Sequence, residues 1–221
     1  MQDPKYKTLI LPKKYISWSQ MSCWLSNPTR YRREYFENGE KLNTKYLSFG
    51  KNIATLIENG QHKTLLPDLA CYDTPEFKIE CKVKGVPILS FLDSYNKTET
   101  IDTPANVFLE YKTAKKTPNG QDPWTKAKVQ KHDQLTFYAT ALKWSIGKMP
   151  EYCDLIWIET TESSNEVSDF WRDGDKVVHV TGRIVSFHRE FDEREITRME
   201  DLIEKVAYEI SDSYQDYLKE I

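Results

Sequence analysis

From Glu76 to Val83 the chain alternates without a break: Phe77, Ile79, Cys81 and Val83 are apolar, while Glu76, Lys78, Glu80 and Lys82 are charged. A period of two predicts a strand with one polar face. Gly85 supplies a turn into a second strand over residues 86–93, and a third covers 107–112, so the three read as an antiparallel meander. The short apolar run CDLIWIE, residues 153–159, predicts a strand that rejoins the sheet by a crossover. KVVHV and RIVSFHREF add hairpin-like material after it.

Elsewhere the period is helical. Ser17 or Ser19 can cap a helix whose apolar stripe is Met21, Trp24 and Leu25, and Asn27-Pro28 ends it. Ile53, Leu56 and Ile57 mark a core helix that begins near Leu47 and stops at Gly60. After a polar loop at residues 117–123, one long helix is predicted from about Trp124 to Trp144, with Gln134, Leu135, Tyr138 and Leu142 on one side. The tail from Glu193 places Ile196, Met199, Ile203 and Val206 at helical spacing. These elements define an α/β protein with a central mixed sheet of about four or five strands flanked by helices. No repeat or linker divides the 221 residues, so a single domain is expected, with its core at about 47–160, an N-terminal helical part at 15–46 and a C-terminal hairpin and helix at 161–221.

Composition narrows the picture little. A net charge of -3 excludes a polycationic coat and leaves room for a local basic groove. Thirteen Tyr and six Trp could stack on bases or fill a core. Cys23, Cys71, Cys81 and Cys153 form no CxxC pair, which argues against a zinc ribbon or a disulfide framework and fits reduced thiols in a cytosolic compartment. The apolar run in MQDPKYKTLILPKKY is too short for a signal peptide and no segment approaches a membrane span, so a soluble intracellular protein without a membrane partner is expected.

Candidate chemistry rests on the triplet acid-x-Lys, which occurs three times between Glu76 and Lys112. Glu76-Phe77-Lys78 and Glu80-Cys81-Lys82 share the polar parity of the alternating strand and read as surface charge. Glu110-Tyr111-Lys112 differs because Val107, Phe108 and Leu109 are apolar on both parities, the pattern of a strand buried on two faces. Charges in such a place cost several kcal/mol unless they are paired or bind a metal. Asp93 ends the preceding strand, and antiparallel pairing could bring its carboxylate toward Glu110. Two hard oxygen donors suit Mg²⁺ or Mn²⁺, with Lys112 placed to stabilise charge on a phosphate. The bland alternative is an Asp turn cap beside a strand-edge ion pair.

In order along the chain, ISWSQMSCWLSNPTRYRREYF, GVPILSFLD, EYK and QLTFYA resemble the PD-(D/E)xK nuclease superfamily, specifically its RecB-like and lambda-exonuclease-like branch. That resemblance covers most of the chain and implies a restriction-endonuclease-like core. It implies Asp93 and Glu110 as metal ligands with the Tyr111 carbonyl, Lys112 as the catalytic lysine, and Gln134 and Tyr138 as contacts to the site or to DNA. The chain departs from the pattern at Ala54, four residues after Gly50, where relatives usually carry a metal-binding His. Whether one metal or two are held is thereby left open. Glu58, one turn onward, is the candidate substitute, and His62 lies past Gly60. The relatives' iron–sulfur clusters need a C-terminal cysteine group, which is missing after Cys153, so no cluster is expected.

Candidate DNA contacts are Arg30, Arg32 and Arg33 among Tyr31, Tyr35 and Phe36, together with Lys115, Lys116, Lys126, Lys128 and Lys131. A solvated helix face or solvated lysines would look the same. Trp124 could stack on a base or staple its helix to the core. The leading expectation is a Mg²⁺- or Mn²⁺-dependent DNA exonuclease of recombination, repair or phage DNA processing. Its substrate would be single- or double-stranded DNA with a free end, and it would work in the bacterial cytoplasm, or the host's if phage-encoded, with a helicase or recombination partner such as many relatives use. The alternatives are a nuclease-fold binding module without turnover, and a restriction-type endonuclease.

Overall fold

The computed structural model describes residues 8–41, 43–163, 172–173 and 176–221. Three helical pieces open it: α1 (Trp18–Ser26), α2 (Pro28–Tyr31), which continues as a wider π-turn through Phe36, and α3 (Lys45–Glu58). The strands are β1 (Thr74–Val83), β2 (Val86–Asn96), β3 (Val107–Ala114), β4 (Cys153–Ser163), β5 (Arg172–Asp173) and β6 (Lys176–Arg189). Between β3 and β4 lie α4 (Lys126–Gln130) and α5 (Asp133–Ile146), and α6 (Glu193–Glu220) closes the chain. The sheet order is β1-β2-β3-β4-β6-β5, antiparallel except for the parallel pair β3–β4 that the α4–α5 crossover permits. This is the expected mixed sheet flanked by helices.

Helices pack on both faces of the sheet, while outer side chains of β1 and β2 such as Lys78, Glu80 and Phe91 stay exposed. On one side Leu135, Phe137 and Leu142 of α5 and Met199, Ile203 and Val206 of α6 pack on Ile79, Leu92, Phe108 and Leu155. On the other, Phe49, Ile53 and Ile57 of α3 meet Leu109, Ile156 and Ile158. The β1–β2 hairpin turns through Lys84 and Gly85 at φ 48° and 83°, two successive left-handed residues of the kind that match the twist of antiparallel strands. Ser17 caps α1 as expected, but Cys23 is buried where Leu25 is exposed. Met21 and Leu25 stand four apart, so helical period alone does not separate them; Leu25 lies in the last turn of α1, where the chain leaves for α2.

Two elements differ from the sequence reading. The single helix expected from Trp124 to Trp144 is two, broken at Lys131–His132. Arg189, fully buried, donates to the carbonyls of Val129 and His132 and to Thr136 Oγ1, so at the break a guanidinium adds to the i+3 amide bonds that these carbonyls accept from His132 and Leu135. The material read as a hairpin is one long strand, β6, whose register on β4 shifts between Ile158 and Thr160 opposite Gly182 at φ 88°. A bulge with a left-handed glycine bends the strand without ending it.

Candidate active site

The site lies where the sheet forks. β2 and β3 pair only through Ser94, Tyr95 and Asn96 against Leu109, Phe108 and Val107. Beyond that point the strands part. The freed edge of β2 is taken by Ile16, whose backbone bonds Pro87 and Leu89. At the fork, Asp93 Oδ2 accepts the Tyr111 amide at 2.7 Å, taking over a backbone donor that the parted ladder leaves without a strand partner. The three-strand meander is therefore present, and its parting is what brings Asp93 toward the third strand.

Glu110 and Lys112 face α5. Lys112 Nζ donates to Glu110 Oε1 at 2.5 Å and to Gln134 Oε1 at 2.9 Å, while Gln134 Nε2 donates to Glu110 Oε1 and to the Tyr138 hydroxyl at 2.9 and 2.8 Å. Gln134 and Tyr138 stand four apart on α5, so both reach the same strand face. The network fills one oxygen of Glu110 and leaves the other. Glu110 Oε2 is buried and has no hydrogen-bond partner among the described residues.

Electrostatics follow from burial. Desolvation, and then the negative charge of Glu110, push the Asp93 carboxyl well above the usual carboxylate range. Burial works to lower the Lys112 ammonium, yet the charge and hydrogen bond of Glu110 outweigh it and leave Lys112 raised. Two carboxylates thus face one place with a single cation between them. A divalent ion is the physical remedy for that imbalance. The donors are hard oxygens, and the orphaned Glu110 Oε2 is a free coordination position, so the residues fit Mg²⁺ or Mn²⁺. No cage of three or more His, Cys, Asp or Glu side chains occurs among the described residues. An ion here would rest on two carboxylates and complete its shell otherwise, as Mg²⁺ does with water and phosphate.

A cleft of about 410 Å³ opens onto this group, walled by Tyr46, Gly50 and Ala54 of α3 and by Asp93, Glu110, Lys112 and Gln134. Gly50 lets α3 approach closely, since a Cβ there would meet Thr113 Oγ1 at 3.1 Å. Ala54 is in the cleft wall. Glu58 is exposed at the end of α3 and is not part of that wall. His62 is buried against Cys71, at 3.4 Å from its Sγ.

Glu76 corrects the sequence reading. It was grouped with Lys78 and Glu80 as surface charge, but it is half-buried, sits at φ 48° and lies opposite Asp93 in the β1–β2 register. Burial and then the charges of Glu58 and Glu110 raise its carboxyl, and its own charge acts on Asp93 in return. A non-glycine residue with positive φ inside a strand is a local conformational cost of the kind that gathers at functional sites. Alternation alone carries no signal for it.

Of the candidate DNA contacts, Tyr138 lines the cleft and Lys115 donates to the hydroxyl of Tyr46 in the same wall at 2.9 Å; the others are not in that wall. Tyr31, Tyr35 and Phe36 are core residues, so they offer no surface for contact; apolar ring area outweighed the neighbouring charge. Arg30 pairs with Glu34 and Arg32 with Glu220, while Arg33 is exposed. Lys115 pairs with Glu162 and Lys116 with Glu159, and Lys128 bonds the Pro123 carbonyl. Lys126 and Lys131 are exposed. Trp124 stacks on His132 with ring centroids 5.1 Å apart.

The fold has a counterpart among solved structures. It is similar to that of a crystal structure named "Putative exonuclease" from Eubacterium rectale, with a TM-score of 0.50 and 10% identity over 89% of this chain and 82% of that one. No family profile and no curated protein matches this chain. No helix among the described residues is long and apolar enough to cross a membrane.

Proposed function

We propose that this chain is a divalent-metal-dependent deoxyribonuclease of the PD-(D/E)xK type that acts on DNA with a free end. The observation that carries the reading is the buried, unpartnered Oε2 of Glu110 beside Asp93 at the strand fork, with Lys112 held against the same group. Asp93 and Glu110 would hold Mg²⁺ or Mn²⁺, with the Tyr111 carbonyl as a further donor. When bound, such an ion would supply polarisation of a phosphodiester and a lower pKa for an attacking water. Lys112 neutralises charge that develops on the phosphate, and Gln134 orients both Lys112 and Glu110 through its two bonds. Tyr138 in turn holds Gln134.

The test uses end-labelled single- and double-stranded DNA and a closed circular control, with and without Mn²⁺. Metal-dependent shortening of the linear substrates is expected, with circles spared and all cleavage lost in Asp93→Ala and Lys112→Ala. Full activity in both variants would refute the assignment. A cut at defined sites in the circles would favour a restriction-type endonuclease instead. One observation supports a second reading, a binding module without turnover: Ala54 lines the cleft where relatives carry a histidine. That reading expects DNA binding and no product from pure protein.

A further inference from the structure

Between α3 and β1 the chain makes a loop that is pinned at both ends. His62 opens a short 3₁₀ turn, and Leu66 and Leu69 behind it are buried in one core with Phe49, Ile53 and Ile57. At the far end the Tyr72 amide donates to Ser94 Oγ at 2.7 Å. The loop thereby sets His62 Nε2 3.4 Å from Cys71 Sγ. From β3 the Tyr111 hydroxyl reaches within 3.3 Å of the same sulfur. That hydroxyl lies 2.8 Å from the Ala70 carbonyl and donates there, which leaves an oxygen lone pair for another partner.

The imidazole is poorly served where it sits. His62 is 4% exposed, its Nδ1 has no hydrogen-bond partner among the described residues, and its Nε2 has only a thiol, a weak donor and a weak acceptor. A ring buried on those terms recovers little of its lost hydration. Cys71 is exposed, so the pair has a route to solvent. Nitrogen and sulfur at this separation match two corners of a tetrahedron around one Zn²⁺, where a Zn–N bond of about 2.0–2.1 Å and a Zn–S bond of about 2.3 Å set them roughly 3.5 Å apart. The Tyr111 oxygen stands at a third corner's distance from the sulfur. Desolvation of the sulfur raises the Cys71 thiol against the lowering by Tyr111 and Lys63, so an arriving ion displaces a proton.

We propose that His62 and Cys71, with the Tyr111 hydroxyl beside them, form a site for Zn²⁺ or another thiophilic divalent ion, separate from the candidate active site. The two places sort ions by donor type. Carboxylate oxygens at Asp93 and Glu110 suit Mg²⁺ or Mn²⁺, whereas a thiolate and an imidazole favour softer ions. Tyr111 joins the two, with its hydroxyl at the soft site and its amide on Asp93. An ion on Cys71 therefore restrains the ring of the residue that separates Glu110 from Lys112. The inference does not rest on the nuclease reading, since none of its donors is a carboxylate of the cleft.

The experiment titrates the full chain, reduced and in excess Mg²⁺, with Cd²⁺ as the probe, reads the ultraviolet absorption of a cadmium–thiolate bond, and then displaces the probe with Zn²⁺. Wild type should show the band, saturating at a single ion per chain. Cys71→Ala should abolish it, and His62→Gln should weaken Cd²⁺ binding by about a hundredfold or more, beyond what a merely supporting residue costs a metal site. Asp93→Ala and Cys81→Ala should keep both band and affinity. Because His62 is buried, a thermal melt without metal checks that His62→Gln is folded, while Cys71→Ala tests the site from an exposed position. No band in wild type, a band that survives Cys71→Ala, or an affinity that survives His62→Gln overturns the inference. So does loss of binding in Asp93→Ala, which would put the ion in the cleft. Cleavage kept or lost in Mn²⁺ bears on the nuclease reading alone.

Discussion

β1 and β3 carry the same triplet with opposite consequences. On β1, Lys78 and Glu80 meet at 2.7 Å with side chains 53% and 67% exposed. On β3, Lys112 and Glu110 meet at 2.5 Å, but Glu110 is 3% exposed and Lys112 26%. The exposed pair gives up little hydration and gains little, since surface ion pairs are typically worth 0–1 kcal/mol. In the buried pair, loss of hydration is severe, and a second carboxylate, Asp93, deepens it. Spacing is therefore uninformative by itself. What separates a surface ladder from a candidate reactive centre is whether the carboxylate can reach water.

The largest effect that can break this contrast is catalytic. Under the nuclease reading, Lys112→Met should lower Mn²⁺-dependent cleavage by about 10²–10³-fold, the scale for removing one charge-stabilising donor. Lys78→Met and Lys82→Met should leave the rate unchanged. A matching rate loss in the β1 variants would mean that the triplets are equivalent. Stability comes next. Lys112→Met keeps the aliphatic stem yet strands the Glu110 carboxylate without its cation, at a cost of about 3 kcal/mol. Lys78→Met should stay within about 0.5 kcal/mol. Urea midpoints in metal-free buffer decide this, and Mn²⁺ should return part of the loss only in the β3 variant.

The contrast also marks how far the sequence could be read. Apolar neighbours on both parities distinguish Glu110 from Glu80 in the sequence itself, because a strand buried on two faces is written in residue types. The hairpin turn at Gly85, the crossover into β4 and the α6 stripe were legible for the same reason. The α4–α5 break was not, since it depends on Arg189, some sixty residues onward in the chain, reaching back to the Val129 carbonyl. Nor was the interior fate of Tyr31 and Tyr35, whose arginine neighbours suggested a surface. Glu76 escaped because alternation records parity, and its positive φ breaks parity locally. The candidate donors Asp93, Glu110 and Lys112 are residue types that could be picked out locally. The fork that brings them together depends on where pairing stops, which no residue type announces.

Glu76 tests the boundary between the two regions. If it belongs with the cleft, Glu76→Gln should weaken Mn²⁺ binding by about fivefold, the ~1 kcal/mol that one partly screened charge supplies. Glu80→Gln should change nothing. Titration calorimetry with Mn²⁺ reads both, and equal affinities in the two variants would return Glu76 to the surface ladder.

The smallest effect is also the most direct measure of the buried cation. His132 is held down to about 4, first by burial and then by the positive charges of Lys112 and Arg189. Its folded value lies below the ordinary 6.5, so the native state favours the neutral ring. The stability this contributes is complete above 6.5 and declines as pH falls through the window toward 4. Lys112→Met removes one of the two cations, so the His132 titration followed by NMR should move upward yet stop short of 6.5, because burial and Arg189 remain. The acid-side loss of stability should shrink in step. Lys78→Met and Lys82→Met should leave that titration unmoved, because exposed charges are screened over such distances. A His132 curve indifferent to Lys112 would mean that its ammonium is as well solvated as the lysines of β1, and the difference between the two strands would then be one of position alone.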